Sequence, residues 1–168
     1  MDDLATMIAA EIPALRRYAR ALLRDAERAD DLVQDCLLRA WSRRHLWRQP
    51  GNLRAWLFTI LHNLYANQMR SLSRQPRFAP SEAAEHLGQN ARQGDQLETS
   101  EVLDAMDNLN DDQREAILLV GVEGLRYEEA AAVLGVPVGT VMSRLSRGRE
   151  RLRELTDRGN VPPIRRVK

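Results

Sequence analysis

The stretch GVPVGTVMSRLSRGRERLR, residues 135–153, decides which fold the chain adopts. It opens with a short apolar turn that contains two glycines and one proline, and it continues as a helical pattern with five arginines. A helix this basic repels itself unless something negative lies against it. Residues 127–134 also show a helical pattern, so the two segments and the turn between them predict a helix-turn-helix.

Small and apolar residues stand where a helix-turn-helix needs them. Gly135 can take the left-handed backbone conformation of the turn, and Ala131 allows a close helix crossing. Val136 and Val141 are predicted to fill the crevice, and Pro137 presets the entry to the second helix. An αα-hairpin with a solvated basic face is the alternative. A DNA-binding helix would present a face of neighbouring residues to the major groove: Ser143, Arg144 and Arg147.

Charge is distributed unevenly along the chain, although the net charge is only +1. Residues 101–137 carry nine acidic and two basic groups, whereas residues 138–168 carry nine basic and three acidic ones. The basic block is typical of a phosphate-binding surface. Of the 25 basic residues only Lys168 is not arginine. Arginine suits phosphates and guanine edges, but a GC-rich genome explains the same bias.

The composition predicts an all-α protein without an active site. Leu, Ala, Arg and Glu are frequent, and no β-branched run reaches strand length. The single cysteine, Cys36, lies on an apolar helical face and fits a reducing compartment. No apolar run of membrane-spanning length, signal peptide, metal-ligand spacing or nucleophile motif is found. We therefore expect a soluble, cytoplasmic protein with no catalytic residue, metal or cofactor.

Helical periodicity predicts two small helical domains joined by a flexible linker. The first domain covers residues 1–72, and the linker covers residues 73–99, where the periodicity stops. The second domain, with the helix-turn-helix, covers residues 100–160, and residues 161–168 form a tail.

Capping and breaking residues predict where the helices begin. In the first domain a helix over residues 3–24 is kinked or restarted at Pro13. Asp25 and Asn52 cap the two helices that follow. In the second domain Asp111 caps a helix that runs to Gly124, and the final helix runs from Val138 to about residue 155.

The second helix carries an acidic outward face. Asp31, Gln34 and Asp35 lie on it, and the two aspartates, four residues apart, repel each other. An acidic face gains nothing from DNA. It therefore points either to water or to a basic protein partner.

The third helix has aromatic, amide and arginine side chains beside its apolar stripe. Arg54, Phe58 and Tyr65 flank one edge, and Asn63 lies on the other. Such groups are suited to single-stranded bases, which need stacking surfaces and hydrogen bonds to their edges. The alternative places Trp56 and Phe58 in the core, and for Trp56 the core position is favoured.

Taken in this order, the three features resemble the extracytoplasmic-function (group IV) sigma factors of bacterial RNA polymerase. The resemblance covers nearly the whole chain. It rests on the motifs ADDLVQDCLLRAW (29–41), LRAWLFTILHN (53–63) and YEEAAAVLGVPVGTVMSRL (127–145). It implies an alternative sigma factor that binds core RNA polymerase and directs promoter recognition and melting. It also implies an anti-sigma factor as a partner.

The resemblance assigns a role to each surface. Three residues would bind the β′ clamp of core polymerase: Asp31, Gln34 and Asp35. Three would act at the minus-ten element of promoter DNA: Arg54, Trp56 and Asn63. Four would bind the minus-thirty-five element: Thr140, Ser143, Arg144 and Arg147.

Three positions depart from the usual residues of the family. Met142 stands where Lys or Arg is frequent, which removes a base or phosphate contact. Arg126 stands where a capping Ser is common, which predicts a less sharply defined start of the short helix. Cys36 replaces a frequent Thr or apolar residue.

Two other functions are compatible with parts of this pattern. A stand-alone helix-turn-helix regulator would need no acidic second helix and would bind duplex DNA without polymerase. A sigma-like decoy would bind an anti-sigma factor and would be expected to lose the DNA-binding arginines, which this chain retains at Arg144 and Arg147.

Overall fold

The computed structural model describes residues 2–48, 51–74 and 104–157, and every regular element in these ranges is helical. The predicted all-α class is therefore confirmed. The chain divides into two compact units, one built on its first three helices and the other on its C-terminal helices. The predicted tail and the predicted linker beyond Arg74 lie outside the described residues.

The N-terminal unit is a bundle of three helices, α1 (Asp2–Leu23), α2 (Ala26–Ser42) and α3 (Leu53–Arg74). The predicted caps of α2 and α3 are confirmed. Asp25 Oδ1 accepts the Arg28 N–H at 3.0 Å, and Asn52 Oδ1 accepts the Ala55 N–H at 3.2 Å. These side chains satisfy donors that the first turn of a helix leaves without partners.

Of the two effects predicted for Pro13, a kink or a restart of α1, the restart was wrong. α1 is one helix from Asp2 to Leu23, with Pro13 inside it on the exposed side. Proline removes one backbone donor from the helix. The helix continues past Pro13 because buried Leu15 and Tyr18 hold the next turn against the core.

An aromatic pair lies at the centre of the three-helix core. The Tyr18 and Phe58 rings meet edge to face, with centroids 5.3 Å apart, and both side chains are fully buried. The Tyr18 hydroxyl lies 3.3 Å from His62 Nδ1, so the buried phenol has a polar partner. Burial lowers the pKa of His62, because the core disfavours the charged imidazolium.

The C-terminal unit contains α4 (Asp111–Ala116), a π-helical turn (Ile117–Val122), α5 (Tyr127–Leu134) and α6 (Val138–Asp157). Asn110, not Asp111, caps α4, because the Asn110 side chain accepts the Gln113 N–H at 2.8 Å. The prediction of Asp111 as the cap was therefore wrong by one residue. Both side chains are good caps, so the sequence alone does not distinguish them.

Arg114 fixes the segment that leads into α4. Its side chain donates to the Met106 carbonyl at 3.1 Å, to the Leu109 carbonyl at 3.0 Å and to Asp111 Oδ1 at 3.0 Å. Arg114 is only 9% exposed. A guanidinium carries donors in several directions, so one buried charge satisfies two carbonyls and one carboxylate.

The predicted helix-turn-helix is confirmed. Gly135 has φ +66°, and the Val136 N–H donates to the Ala131 carbonyl at 3.1 Å. Val141 and Leu145 are buried, so the first two turns of α6 are anchored by apolar contacts.

The ill-defined start predicted for α5 was wrong. The Arg126 N–H donates to Glu129 Oε2 at 2.9 Å, and the Arg126 guanidinium pairs with the same carboxylate at 3.0 Å. In a capping box, a glutamate three residues into the helix accepts the backbone N–H of the N-cap residue. Glu129 makes this bond to Arg126, and the start of α5 is therefore fixed without a capping serine.

Gly148 allows a close approach between α6 and the start of the π-helical turn. A Cβ at this position would lie 2.6 Å from Ile117 Cδ1 and 3.4 Å from Gln113 Cβ. We predict that Gly148→Val lowers the free energy of unfolding by about 1–3 kcal/mol through overpacking. Urea denaturation monitored by circular dichroism measures the free energy of unfolding of both proteins.

Gly139→Val is the matched control, because no atom lies within 4 Å of a Cβ placed at this second α6 glycine. Shortening the facing side chain with Ile117→Ala should relieve part of the penalty of Gly148→Val. Strictly additive effects of the two changes would contradict the contact.

Candidate nucleic-acid and partner-binding surfaces

The outer face of α6 presents part of the predicted DNA-binding set. Ser143 and Arg147 are exposed and lie four residues apart, one turn from each other on the side opposite buried Val141 and Leu145. Ser143 Oγ donates to the Thr140 carbonyl at 3.1 Å, and Thr140 itself is half-buried. The structure therefore places three of the four predicted residues along the N-terminal half of α6.

Arg144, the fourth residue, is in a different environment. Its side chain is only 22% exposed, and its Nη2 lies 3.5 Å from Asp112 Oδ2 on α4. Arg144 is therefore held toward α4. The sequence did not identify Asp112 as a partner, because the two residues lie on different helices.

An open cleft of about 490 Å³ lies beside Arg147. Three amide side chains from the segment around the start of α4 line it together with α6: Asn108, Asn110 and Gln113. Glu150 and Glu154 of α6 line it as well. These amides can offer both donors and acceptors next to the exposed guanidinium, and sequence patterns had not singled them out.

Met142 is a half-exposed apolar side chain in this basic surface, with 51% of its area accessible. It lines a smaller groove of about 200 Å³ with Tyr127 and two arginines, Arg149 and Arg153. The position that departs from the usual Lys or Arg is thus on the surface, where it adds no charge.

Glu115 carries the most perturbed carboxylate of the described residues. Its pKa is raised to about 7, first by burial and then by the neighbouring carboxylates of Asp112 and Asp111, while Arg144 and Arg114 oppose the shift. The carboxylate is costly to ionise here because the site already contains two negative groups and little water.

The predicted acidic face of α2 is exposed. Asp31, Gln34 and Asp35 all point away from the core. Neighbouring Asp30 is different, because it lies 3.6 Å from both Arg16 and Arg20 of α1. The four polar residues of this run therefore separate into one that ties α2 to α1 and three that face outward.

The predicted surface of α3 is only partly correct. Asn63 is exposed, and Trp56 is half-buried rather than a core residue. Arg54 Nε lies 3.3 Å from Glu11 Oε2, and its guanidinium carbon lies 5.9 Å from the centroid of the Phe58 ring. Arg54 is thus tied to α1 while remaining partly accessible.

Phe58 and Tyr65 are not the stacking surfaces that the sequence pattern allowed. Phe58 is fully buried against Tyr18, and Tyr65 is 9% exposed. The boundary between an apolar stripe and its edge depends on how neighbouring helices pack, which the sequence of one helix does not specify.

Cys36 is a core residue, as the sequence predicted. Its side chain is fully buried, and Sγ lies 3.5 Å from the Leu57 carbonyl. Burial raises the pKa of the thiol to about 12. The nucleophilic thiolate is therefore rare at neutral pH, which disfavours a redox role.

The described residues contain neither a metal-binding group nor a membrane span. No cluster of three or more His, Cys, Asp or Glu side chains in these ranges is arranged to hold a metal ion. Within the same ranges, no helix combines the length and the apolar character that crossing a bilayer requires.

Two family models match the chain in succession. The model described as the sigma2 domain of PhyR matches residues 8–62, and the model described as sigma-70, region 4 matches residues 99–152. The first match contains α2 and α3 as far as His62, and the second contains the helix-turn-helix.

Curated relatives match over most of their own length. The chain is 44% identical over 154 residues to the ECF RNA polymerase sigma factor EcfG of Rhodopseudomonas palustris (strain TIE-1), covering 92% of this chain and 85% of that protein. It is 38% identical over 133 residues to the ECF RNA polymerase sigma factor SigC of Mycobacterium tuberculosis (strain CDC 1551 / Oshkosh), and this match covers 79% of this chain and 72% of SigC.

Solved structures match the fold as well. The sigma factor RpoE of Bartonella quintana, solved in complex with the anti-sigma factor NepR, gives a TM-score of 0.76 at 36% identity, covering 94% of this chain and 98% of that one. CnrH, solved in complex with the cytosolic domain of CnrY, gives a TM-score of 0.65 at 32% identity, and the match covers 92% of this chain and 87% of CnrH.

The raised pKa of Glu115 predicts a pH-dependent stability. The pKa of Glu115 is 4.5 in the unfolded chain and about 7 in the folded chain. Between these two pH values the folded chain therefore holds a proton on Glu115 that the unfolded chain has released. The free energy of unfolding therefore falls as the pH rises through this interval. Glu115→Gln should remove that loss and make the chain more stable than wild type at pH 8, by roughly 1–2 kcal/mol.

Urea denaturation at a series of pH values from 5 to 8 measures this effect. Glu128→Gln is the control, because Glu128 is an exposed carboxylate in the same unit. The same pH dependence in wild type and Glu115→Gln would contradict the assignment.

Proposed function

This chain belongs to the extracytoplasmic-function (ECF) sigma factors of RNA polymerase, which direct transcription initiation, and from that premise we propose how its surfaces divide the work. The observation that carries the proposal is that an acidic and a basic exposed surface lie in different units of the chain. The acidic face of α2 lies in the unit that matches a sigma2 domain, and the basic face of α6 lies in the unit that matches region 4.

The helix-turn-helix binds the minus-thirty-five element of the promoter. Ser143 and Arg147 reach base edges and phosphates from the exposed face of α6, and Thr140 lies near the phosphate backbone. Arg144 takes part after leaving or sharing its contact with Asp112. Support comes from the exposure of Ser143 and Arg147 and from the basic character of the helix.

The acidic face of α2 docks on core RNA polymerase, at the β′ clamp. Asp31, Gln34 and Asp35 are exposed, and the Asp30 carboxylate is already engaged with α1. Considered by its charge alone, the α2 face could equally be a solvated surface. Family membership favours a basic protein partner for this face, because a sigma factor acts only in complex with the polymerase.

The exposed part of α3 binds the minus-ten element. Asn63 has the exposed amide that a base edge requires. Half-buried Trp56 supports that surface, and Arg54, which is held by Glu11 and lies near the Phe58 ring, contributes from the other edge of α3. In this arrangement residues 1–72 form the core-binding and minus-ten domain, residues 73–99 the linker, and residues 100–160 the minus-thirty-five domain.

An anti-sigma factor regulates the chain, and the chain acts in the cytoplasm with the polymerase. RpoE of Bartonella quintana, 36% identical, was solved with the anti-sigma factor NepR. A protein of this kind could cover the exposed α2 and α3 surfaces and prevent assembly with the polymerase.

One observation favours the decoy as a second candidate. The sigma2 match is to a domain of PhyR, and PhyR of Bartonella quintana is described as an anti-anti-sigma factor in its solved complex with NepR. The retained exposure of Arg147 favours the promoter-binding function instead.

In vitro transcription from a library of genomic promoters, with core polymerase and this chain, distinguishes the candidates. A sigma factor produces specific transcripts, and a decoy produces none. A stand-alone regulator protects duplex DNA from nuclease in the absence of polymerase.

We predict that Asp31→Arg combined with Asp35→Arg abolishes co-purification with core polymerase, because it places four units of positive charge change on the proposed contact. The matched control is Asp3→Arg with Asp104→Arg, which makes the same charge change at two exposed positions outside that face. Undiminished co-purification of the α2 variant would refute the core-binding assignment.

Arg147→Ala should weaken a promoter that has a minus-thirty-five element by roughly 5- to 100-fold, the loss expected for one good base or phosphate contact. A promoter that lacks the element should change little. Arg153→Ala, which removes the same charge from an exposed position further along α6, is the control. Equal losses on both promoters in transcription assays would count against a role in reading the element.

A further inference from the structure

Arg144 is the one proposed minus-thirty-five residue whose charged group has a carboxylate partner on another helix. Its Nη2 lies 3.5 Å from Asp112 Oδ2, and its side chain is 22% exposed, whereas Asp112 is 64% exposed. Ser143 and Arg147 on the same helix are exposed. The guanidinium that should meet DNA is therefore turned toward α4 in the free protein.

The charges around this pair explain why Arg144 is held there. α4 presents three carboxylates, on Asp111, Asp112 and Glu115, and the charges of the two aspartates both disfavour ionisation of Glu115. Arg114 neutralises Asp111 at 3.0 Å, and two of its other N–H groups donate to the Met106 and Leu109 carbonyls. Arg144 is the cation that approaches Asp112, and it shares with Arg114 the stabilisation of an ionised Glu115.

A DNA phosphate and the Asp112 carboxylate require the same group. Both are anions, and two anions close to one guanidinium repel each other. The Asp112–Arg144 contact is longer than a strong charge-assisted hydrogen bond, and Asp112 is well exposed to water, so the pair is easily broken. Breaking this single contact leaves the Arg144 guanidinium available to another anion.

We propose that Asp112 competes with promoter DNA for Arg144: it holds the guanidinium against α4 in the free protein, and Arg144 exchanges this carboxylate for a phosphate when the minus-thirty-five element binds. The proposal rests on the proposed function of the helix-turn-helix. It makes Asp112 a determinant of promoter affinity that itself never touches DNA. The raised pKa of Glu115 is consistent with an excess of negative charge at this site.

The exchange predicts that removing the Asp112 charge strengthens promoter binding. Holoenzyme assembled from core polymerase and the full chain carrying Asp112→Asn should bind a minus-thirty-five promoter about 2- to 5-fold more tightly than wild-type holoenzyme. Dissociation constants measured by fluorescence anisotropy at one fixed salt concentration provide the comparison. Asp112→Ala should give the same gain, because the charge rather than the amide matters.

Two controls separate this mechanism from a general change of charge. Asp104→Asn removes one exposed carboxylate from the same unit and should leave the affinity within about 2-fold of wild type. In an Arg144→Ala background, Asp112→Asn should give no gain, because the competing guanidinium is absent. Thermal unfolding of each variant verifies that the fold is retained.

Each outcome decides the question. Weaker promoter binding by Asp112→Asn would show that Asp112 orients Arg144 toward DNA. Unchanged binding would show that Asp112 neither orients Arg144 nor competes for it. Either result overturns the proposal. An equal gain in the Arg144→Ala background would show long-range repulsion of DNA instead. If wild-type holoenzyme binds a promoter with a scrambled minus-thirty-five element equally well, the assignment of the helix-turn-helix itself fails, and the proposal fails with it.

Discussion

The close approach of α6 to the π-helical turn at Gly148 determines which side chains of this helix face solvent. The backbone of residue 148 lies so near Ile117 that a Cβ would be 2.6 Å from its terminal carbon. Successive residues of an α-helix are rotated by about 100°, so fixing one position fixes all the others. Ser143 and Arg147 thereby face outward, and Arg144 faces α4. Apolar packing, rather than the charges themselves, thus decides which of the two arginines is exposed.

The arginines of the chain fall into structural and exposed groups. Arg114 supports the segment before α4 through two carbonyls and a carboxylate, and Arg126 closes the start of α5 with Glu129. Lysine could replace neither, because it lacks the planar fork that binds several acceptors at once. Codon bias and phosphate binding are thus not the whole explanation of an arginine-rich composition. Some of these residues are needed by the fold.

Local features could be predicted from the sequence because their causes are local. Gly135 has the positive φ that its turn position required, and Asp25 and Asn52 cap the helices that follow them. The acidic face of α2 was also predictable, since a helical period of 3.6 residues places Asp31 and Asp35 opposite the apolar stripe.

Features that depend on contacts between helices were predicted less well. Phe58 was placed at the edge of a stripe, but Tyr18 from another helix covers it. The partner of Arg144 lies 32 positions earlier in the sequence, on a helix whose rotation no local pattern reveals. The choice between Asn110 and Asp111 as a cap depends on where the first turn closes. Each of these needs the packed structure.

The burial of Cys36 has a practical consequence for measuring the two units against each other. It is the only cysteine of the chain, and its thiol is enclosed by the N-terminal core. A maleimide dye or spin label would therefore react with a cysteine introduced on the surface while leaving the native one unmodified. One such label in each unit would report the distance between them in solution, before and after the polymerase binds, in a chain that keeps its native core.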